Sequence, residues 1–456
     1  MESSNTLKID HLRLLNFRGF AECEIDFHPN LTVLVAENGR GKTAILDGVA
    51  SAVGFFVDSI ANTRQAQGIG RGDVRLVRVE QGEMQPVLPT SFQADGYIFG
   101  QQARWSRSLN GYGVRSRTTT REAEDVRNLA LSIRKQISES PSSVDGGGVL
   151  PLVAYYGTGR LWSEHRLTKR KSGKLAGRDD RFSGYEDCLS SLSSFKWTTT
   201  WYENKWKELG DPKFSSEVSR NLPLVSAINA ATEILLEPTE WTNLRWNAKY
   251  STLEVTHPEF GILPMSALSD GVRTTLALVV DIARRCATLN PQFGEEAARK
   301  TPGILMIDEI DMHLHPRWQQ VITTLLRNAF PSLQIILTTH SPHVLSTVDR
   351  HSIRVIQLND GKSQIVTPEF QTRGVESAEV LSNIMGVDPI PNVEEAEWLR
   401  EYRGLIEDAL GRSQKAIDLR SKLEKHFGVG HPVILDADRL IRFQDFRLKS
   451  KGSEEK

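Results

Sequence analysis

The chain lacks what would mark an extracellular, membrane-spanning or fibrous protein. Its three cysteines, Cys23, Cys188 and Cys286, are scattered and form no Cys-x-x-Cys pair. That pattern excludes a disulfide framework and a zinc finger, and it fits a reducing compartment, the cytoplasm. No apolar run reads as the roughly 20 residues a membrane span needs. The first residues are polar, unlike a signal peptide. Neither sign of charge dominates, with 56 Lys plus Arg against 57 Asp plus Glu, so any nucleic-acid contact must come from a local patch. Internal repeats and sustained heptads are absent, which excludes a solenoid or long coiled-coil arms. What remains is a chain of 456 residues, 39% hydrophobic and 25% charged, long enough for two or three globular domains.

Periodicity predicts three N-terminal strands, with turns at Arg18-Gly19 and Pro29-Asn30. The last, Leu31–Val35, is continuously apolar, as a strand covered on both faces should be. A helix over Ala44–Phe56 follows. Short β-like pieces, Arg75–Val79 and Tyr97–Phe99, precede a helix over Thr119–Ser138 and a buried strand over Leu150–Tyr156. Gly184–Leu209 reads as helical and aromatic. Regular alternation returns with a helix over Val272–Ala287, a strand over Ile304–Ile307, a helix over Arg317–Asn328, a strand over Gln334–Thr338 and a closing hairpin, Ile353–Leu358 with Gln364–Val366. After about residue 370 the pattern is helical, with Asn392 and Glu395 spaced as a capping box. Gly404 and Gly411 argue against one unbroken helix there.

Four blocks carry chemistry. Ala36-Glu37-Asn38-Gly39-Arg40-Gly41-Lys42-Thr43 lies between a predicted strand and a predicted helix. Glycines there let backbone N–H groups point at phosphate oxygens, and the helix N-terminus adds partial positive charge. Lys42 is placed to reach the β- and γ-phosphates of ATP, and Thr43 to hold Mg²⁺ through its hydroxyl. The usual first glycine is Ala36, a position where a tight turn could make alanine strained. Four apolar residues then lead to Asp308-Glu309, two carboxylates at the C-terminal end of a buried strand, where open α/β sheets bind ligands. Asp308 is assigned to magnesium, through water, and the catalytic carboxylate Glu309 to polarising the attacking water or taking its proton.

Leu268-Ser269-Asp270-Gly271-Val272-Arg273 resembles the Leu-Ser-x-Gly signature of ABC-type ATPases. The resemblance spans residues 7–66 and 263–360. It implies that Ser269 and Gly271 cap the γ-phosphate of a nucleotide held by a second subunit, that His340 is the switch histidine contacting the γ-phosphate in cis, and that Asp311 lies at the dimer interface. His313 and His315 then belong to that interface loop rather than to a metal site, since His-x-His without a third ligand is thin evidence. The family's glutamine between phosphate loop and signature has only Gln65 and Gln67 as candidates. Asn16-Phe17-Arg18-Gly19 and Ile310-Asp311-Met312-His313-Leu314-His315-Pro316 resemble the RecF, SMC and OLD branch, whose members work on DNA. Roughly 225 residues separate Lys42 from Leu268, too few for SMC arms.

Tyr155–Trp162 and the segment opening at Gly184 look like a narrower group, the ATPase subunits (PtuA) of Septu-type anti-phage systems. That likeness implies a homodimer or higher oligomer of heads sandwiching ATP, with slow hydrolysis sufficient. It also implies a separate HNH endonuclease (PtuB) at the helical tail, because the eleven histidines here do not cluster into an HNH motif. A RecF-like repair clamp and an OLD-type nuclease are the alternatives. For the latter, Asp436 and Asp438 would serve as a Toprim metal pair, although their surroundings read as helical. DNA contact is expected from the basic loop 165–181 (Arg166, Lys169, Arg170, Lys171, Lys174, Arg178, Arg181) with Arg104, Arg107, Arg115, Arg117 and Arg121, against the alternative of a merely solvated charge run. The expected fold is an α/β ABC-type ATPase head over 1–364, with an antiparallel β layer and an insertion at about 68–260, followed by a helical region over 365–456.

Overall fold

Alternation of apolar and polar residues builds the first layer. The computed structural model describes residues 7–62, 68–79, 82–114, 116–139, 148–161, 181–190, 201–206, 215–359 and 362–454. Strands β1 (Leu7–Phe17) and β2 (Phe20–Asp26) form an antiparallel hairpin. The all-buried β3 (Leu31–Val35) leaves this layer for the core and feeds α1 (Lys42–Ala61). A small hairpin of β4 (Leu76–Arg78) and β5 (Met84–Pro86) follows. Strands β6 (Thr90–Ile98) and β7 (Gln101–Leu109) then return to the first layer, giving the order β2-β1-β6-β7. Helix α2 (Glu124–Glu139) precedes β8 (Leu152–Tyr156), another fully buried strand.

Beyond α3 (Ser215–Leu236), a three-stranded antiparallel sheet of β9 (Thr242–Asn247), β10 (Thr252–His257) and β11 (Gly261–Pro264) leads into α4 (Asp270–Leu289). The buried strands β12 (Gly303–Ile307) and β13 (Leu333–Thr338) flank α5 (Ile322–Ala329), and the hairpin β14 (Ile353–Asn359) and β15 (Lys362–Val366) closes the sheet. The central sheet has the order β15-β14-β3-β13-β12-β8, parallel except for β15. This is a mixed α/β architecture with a separate antiparallel β layer. Gln334, wholly buried in β13, joins the two layers: its amide donates to the Ile9 carbonyl at 2.8 Å and accepts from the Ile9 N–H at 3.0 Å. Those bonds fall where the β1–β6 register shifts, between Ile9 and His11.

Several expectations are corrected. The segment 68–260 supplies β6 and β7 to one sheet and β8 to the other. Gly184–Leu209 opens not as a helix but on a 3₁₀ turn, Arg181–Tyr185. Arg317–Asn328 is split into a single turn, Pro316–Gln319, and α5. Helix α1 is 20 residues long with mean hydropathy 1.6, long and apolar enough to cross a membrane, yet most of it is buried in the fold.

The chain divides into two units, Met1–Val380 and Leu381–Lys456, so the division falls past the expected 364/365, inside α6 (Ser377–Asn383). The second unit packs α7 (Glu394–Glu407), α8 (Gln414–Phe427) and α9 (Pro432–Glu454) around Tyr402, Ile406, Ala416, Leu419, Leu423, Ile434 and Ala437. Val393, not Asn392, caps α7, and no side chain closes a capping box there. Gly404 lies within α7, while Gly411 lies past its end. Asp436 and Asp438 are on helix α9, and Arg420 grips Asp438 at 3.1 Å, which holds that carboxylate below its usual pKa. They are therefore not the strand-borne pair a Toprim site needs.

Candidate functional site

The end of β3, the start of α1, and the ends of β12 and β13 meet at one cavity of about 490 Å³. Gly39 and Gly41 take φ of 77° and 96°, the left-handed region open to glycine. A Cβ on Gly41 would also run into the Phe20 ring. Ala36 does not adopt a left-handed φ, so its methyl group strains nothing. Asn38, Gly39, Arg40, Gly41, Lys42 and Thr43 all line the cavity, with Glu309 and His340 across from them. Arg40 is drawn to Glu37 at 2.9 Å in an exposed ion pair. Lys42 donates to the carbonyls of Ala36 (2.9 Å) and Glu37 (3.2 Å). Burial lowers the Lys42 pKa, and Asp308, Glu309 and Asp311 oppose that fall. A polyanion in the cavity would add to their effect.

Asp308 is buried and accepts from the Thr43 hydroxyl at 2.8 Å and the Thr338 hydroxyl at 2.6 Å. Its N–H donates to the Tyr156 carbonyl at 2.8 Å, which fixes the carboxylate to the strand end. One hydroxyl and one carboxylate converging on a phosphate loop are hard oxygen donors and fit magnesium. Among the described residues no group of three His, Cys, Asp or Glu side chains could make an all-protein metal cage. Glu309 follows with φ 47°, uncommon outside glycine, and its N–H donates to the Thr338 hydroxyl at 2.8 Å. A non-glycine residue held there by the Thr338 hydrogen bond is the kind of local strain that clusters at functional sites. Asp311 accepts from the Thr339 hydroxyl and from the His340 N–H at 3.3 Å, so it shapes the turn that presents His340. His315 caps the turn Pro316–Gln319 by accepting from the Arg317 N–H, a structural task.

Ser269 and Gly271 do not line this cavity. They stand at the N-terminus of α4, where the Ser269 side chain makes no capping bond. Gly271 lies so close to the His313 carbonyl that a Cβ would collide with it. Gln65 and Gln67 lie outside the described residues, as do Arg115, Arg166, Lys169, Arg170, Lys171, Lys174 and Arg178. Three other members of the basic cluster are already engaged. Arg104 pairs with Asp95. Arg107 is buried, donates to the Thr119 carbonyl at 2.9 Å and stacks on Phe55. Arg181 donates to the carbonyls of Leu289 (2.7 Å) and Gly148 (2.8 Å). Arg117 and Arg121 are exposed.

Sequence reasoning missed the cavity residues Phe20 and Ser363, and it missed the buried Thr338 behind them, which holds both Asp308 and the Glu309 backbone. It read Arg18 only as part of a motif. Arg18 lines the cavity and is bound by Asp47 and by Asp73 (2.9 Å). The one available signal was its place beside Gly19 in the turn before the phosphate loop.

Two family models match the chain, "AAA domain" over residues 11–209 and "AAA domain, putative AbiEii toxin, Type IV TA system" over residues 194–346. The Retron Ec83 probable ATPase of Escherichia coli is 26% identical, over 92% of this chain and 84% of its own length. The Retron Vc95 probable ATPase of Vibrio cholerae serotype O1 biovar El Tor is 24% identical, over 92% and 88%. The Septu protein PtuA of Bacillus mycoides (strain KBAB4) is 34% identical, over 36% of this chain and 23% of that protein.

Proposed function

Because the chain is an ABC-type ATPase of the RecF/SMC branch, we propose that it is the ATPase subunit of an anti-phage defence assembly, in which paired heads sandwich ATP and so control an associated HNH endonuclease. The observation that carries this reading is an imbalance at the cavity. Lys42, Thr43, Glu309 and His340 line it, while Ser269 and Gly271 do not. A second copy must therefore supply the signature corner. The helical unit 381–456 is the proposed seat of the endonuclease, and the nucleic acid that the assembly acts on is DNA.

The chemistry follows from the residues. Backbone N–H groups of 39–43 and the α1 N-terminus cradle the phosphates. Lys42 gives up its two carbonyl partners for the β- and γ-phosphates, and Arg18 adds a second cation. The Thr43 hydroxyl and, through water, the Asp308 carboxylate would hold Mg²⁺, which when bound would neutralise phosphate charge. Glu309 accepts the proton of the attacking water, and His340 donates to the γ-phosphate. The partner's signature then closes the γ-phosphate off from solvent, so nucleotide occupancy sets assembly.

Two variants test this. Lys42→Ala abolishes ATP binding. Glu309→Gln keeps ATP, hydrolyses at least about a hundredfold more slowly, and accumulates as a nucleotide-loaded dimer by native mass measurement. Hydrolysis by Glu309→Gln at the unmodified rate refutes the assignment of the base. Co-purification with a small HNH protein, with and without ATP, tests the partner; a head that dimerises on ATP and recruits none is a RecF-like clamp.

A further inference from the structure

Strand β12 ends just before the two carboxylates of the site, and Thr338, the last residue of β13, takes over the pairing there. The parallel ladder runs in register to Ile307 beside Leu337. Asp308 follows, and its N–H turns to the other side, to the Tyr156 carbonyl of β8 at 2.8 Å. The chain then bends at Glu309, with φ 47°. The Thr338 hydroxyl donates to Asp308 Oδ1 at 2.6 Å and accepts from the Glu309 N–H at 2.8 Å. The Thr338 carbonyl accepts from the Ile310 N–H at 3.0 Å. Thr338 is wholly buried, so bulk water does not compete for these bonds. A hydroxyl has one proton to give and lone pairs to accept with. Here the proton goes to the carboxylate and a lone pair meets the backbone N–H. The other Asp308 oxygen, Oδ2, accepts from the Thr43 hydroxyl at 2.8 Å. Thr43 is the side chain assigned to magnesium, and the hold on Oδ1 does not depend on it.

We propose that Thr338 is a positioning residue for ATP hydrolysis, whose hydroxyl keeps Glu309 in the bend that presents it to the cavity and fixes the Asp308 carboxylate beside it. Glu309 lines the cavity and Thr338 does not, so Thr338 acts through its neighbours and not on the nucleotide. A left-handed φ is disfavoured for a residue with a Cβ. It persists where the surroundings over-determine it. The Glu309 N–H on the hydroxyl and the Ile310 N–H on the carbonyl of the same threonine supply that constraint. Valine has nearly the same shape and would keep the Ile310 bond. It would leave the Glu309 N–H and Asp308 Oδ1 without this partner. A general base works only within hydrogen-bond reach of the proton it takes, so a lost aim shows in turnover more than in binding. The proposal rests on the reading of Glu309 as that base.

The test compares Thr338→Val and Thr338→Ser in the full chain by KM for ATP, kcat and amide hydrogen exchange. Thr338→Val should lower kcat about tenfold, the weight of a lost buried hydrogen bond, with KM changed by less than about twofold. In the nucleotide-free chain, one amide within 307–312 should exchange faster than in the unmodified protein. Thr338→Ser keeps the hydroxyl, so kcat should stay within about threefold and that amide should stay protected. Should the valine chain not fold, Thr338→Ala deletes the same hydroxyl and carries the same expectations. In a Glu309→Gln background, Thr338→Val should slow hydrolysis by less than about a further threefold, because the two residues act as one unit. A threonine that merely packs the strand end would lower the thermal midpoint and leave kcat unmoved. An unmoved kcat for Thr338→Val, equal losses for the valine and serine variants, or the full tenfold loss in the Glu309→Gln background overturns the inference and leaves the base assignment standing. Hydrolysis by Glu309→Gln at the unmodified rate removes the premise instead, so the two failures are told apart.

Discussion

Burial, not partner chemistry, governs the thiols. Cys23, Cys188 and Cys286 are all buried, and burial pushes each thiol up to about 12. Since the thiolate is the reactive form, the native protein should take up almost no aromatic disulfide reagent at pH 8. Denaturant should release three equivalents. Fast labelling of Cys188 alone would mean that the segment 181–190 opens on its own, against its hydrogen bonds to Tyr155, Arg285 and Pro151. Single residues were legible in the sequence where the chemistry is local. Asn38 to Thr43 form one contiguous loop, and Asp308-Glu309 end one apolar run, so both could be placed from pattern alone. Phe20, Ser363 and Thr338 reach the site or its supports only by long-range packing. No spacing rule reports that Thr338 holds Asp308 across 30 residues of chain.

The elements carry a second network. Tyr156, on the face of β8 opposite Tyr155, donates from its hydroxyl to Asp281 of α4 at 2.7 Å. The same carboxylate accepts from Arg284 (2.7 Å) and Arg285 (2.8 Å), all of them buried. Arg285 continues to the carbonyls of Gly184 (2.9 Å) and Glu186 (2.8 Å). The helix that carries Ser269 and Gly271 is in this way tied to the strand whose end supports Asp308. Removing one member of a buried ion network leaves the others uncompensated. Asp281→Asn should therefore cost about 3–5 kcal/mol in urea unfolding. Tyr156→Phe, which deletes one hydrogen bond and leaves both arginines paired, should cost about 1–2 kcal/mol. Equal losses for the two would show that the hydroxyl, rather than the charge, holds α4 to the sheet. Strand and helix identity followed from periodicity. The break at 320–321 did not, because Gln319 is drawn aside by bonds to the Leu314 carbonyl (2.9 Å) and the Ser341 hydroxyl (2.7 Å). Strand order was equally hidden: β8 pairs with β12 from far along the chain, and Gly303, with φ 140°, allows the close approach to Leu152.

At the scale of the whole molecule the chain holds two cores with separate membership. The second consists of one face from each of α7, α8 and α9, closed by the Arg420–Asp438 ion pair and by the Lys422 cation over the Trp398 ring. Leu423 is wholly buried at its centre, and no member of that core lines the candidate ATP cavity. Leu423→Ala removes buried methyl groups and leaves a cavity, a loss of about 2–5 kcal/mol. In a unit of this size, a few kcal/mol is a large part of the total stability. Calorimetry of the full chain should then show one transition moved down by several degrees and the other unmoved, with ATP affinity within about twofold of the unmodified protein. If the same variant is tested for capture of the proposed endonuclease, loss of that capture with retention of ATP binding would support docking at the helical unit. A parallel fall in both transitions would show instead that the two cores melt as one, and that the tail cannot be altered without altering the head.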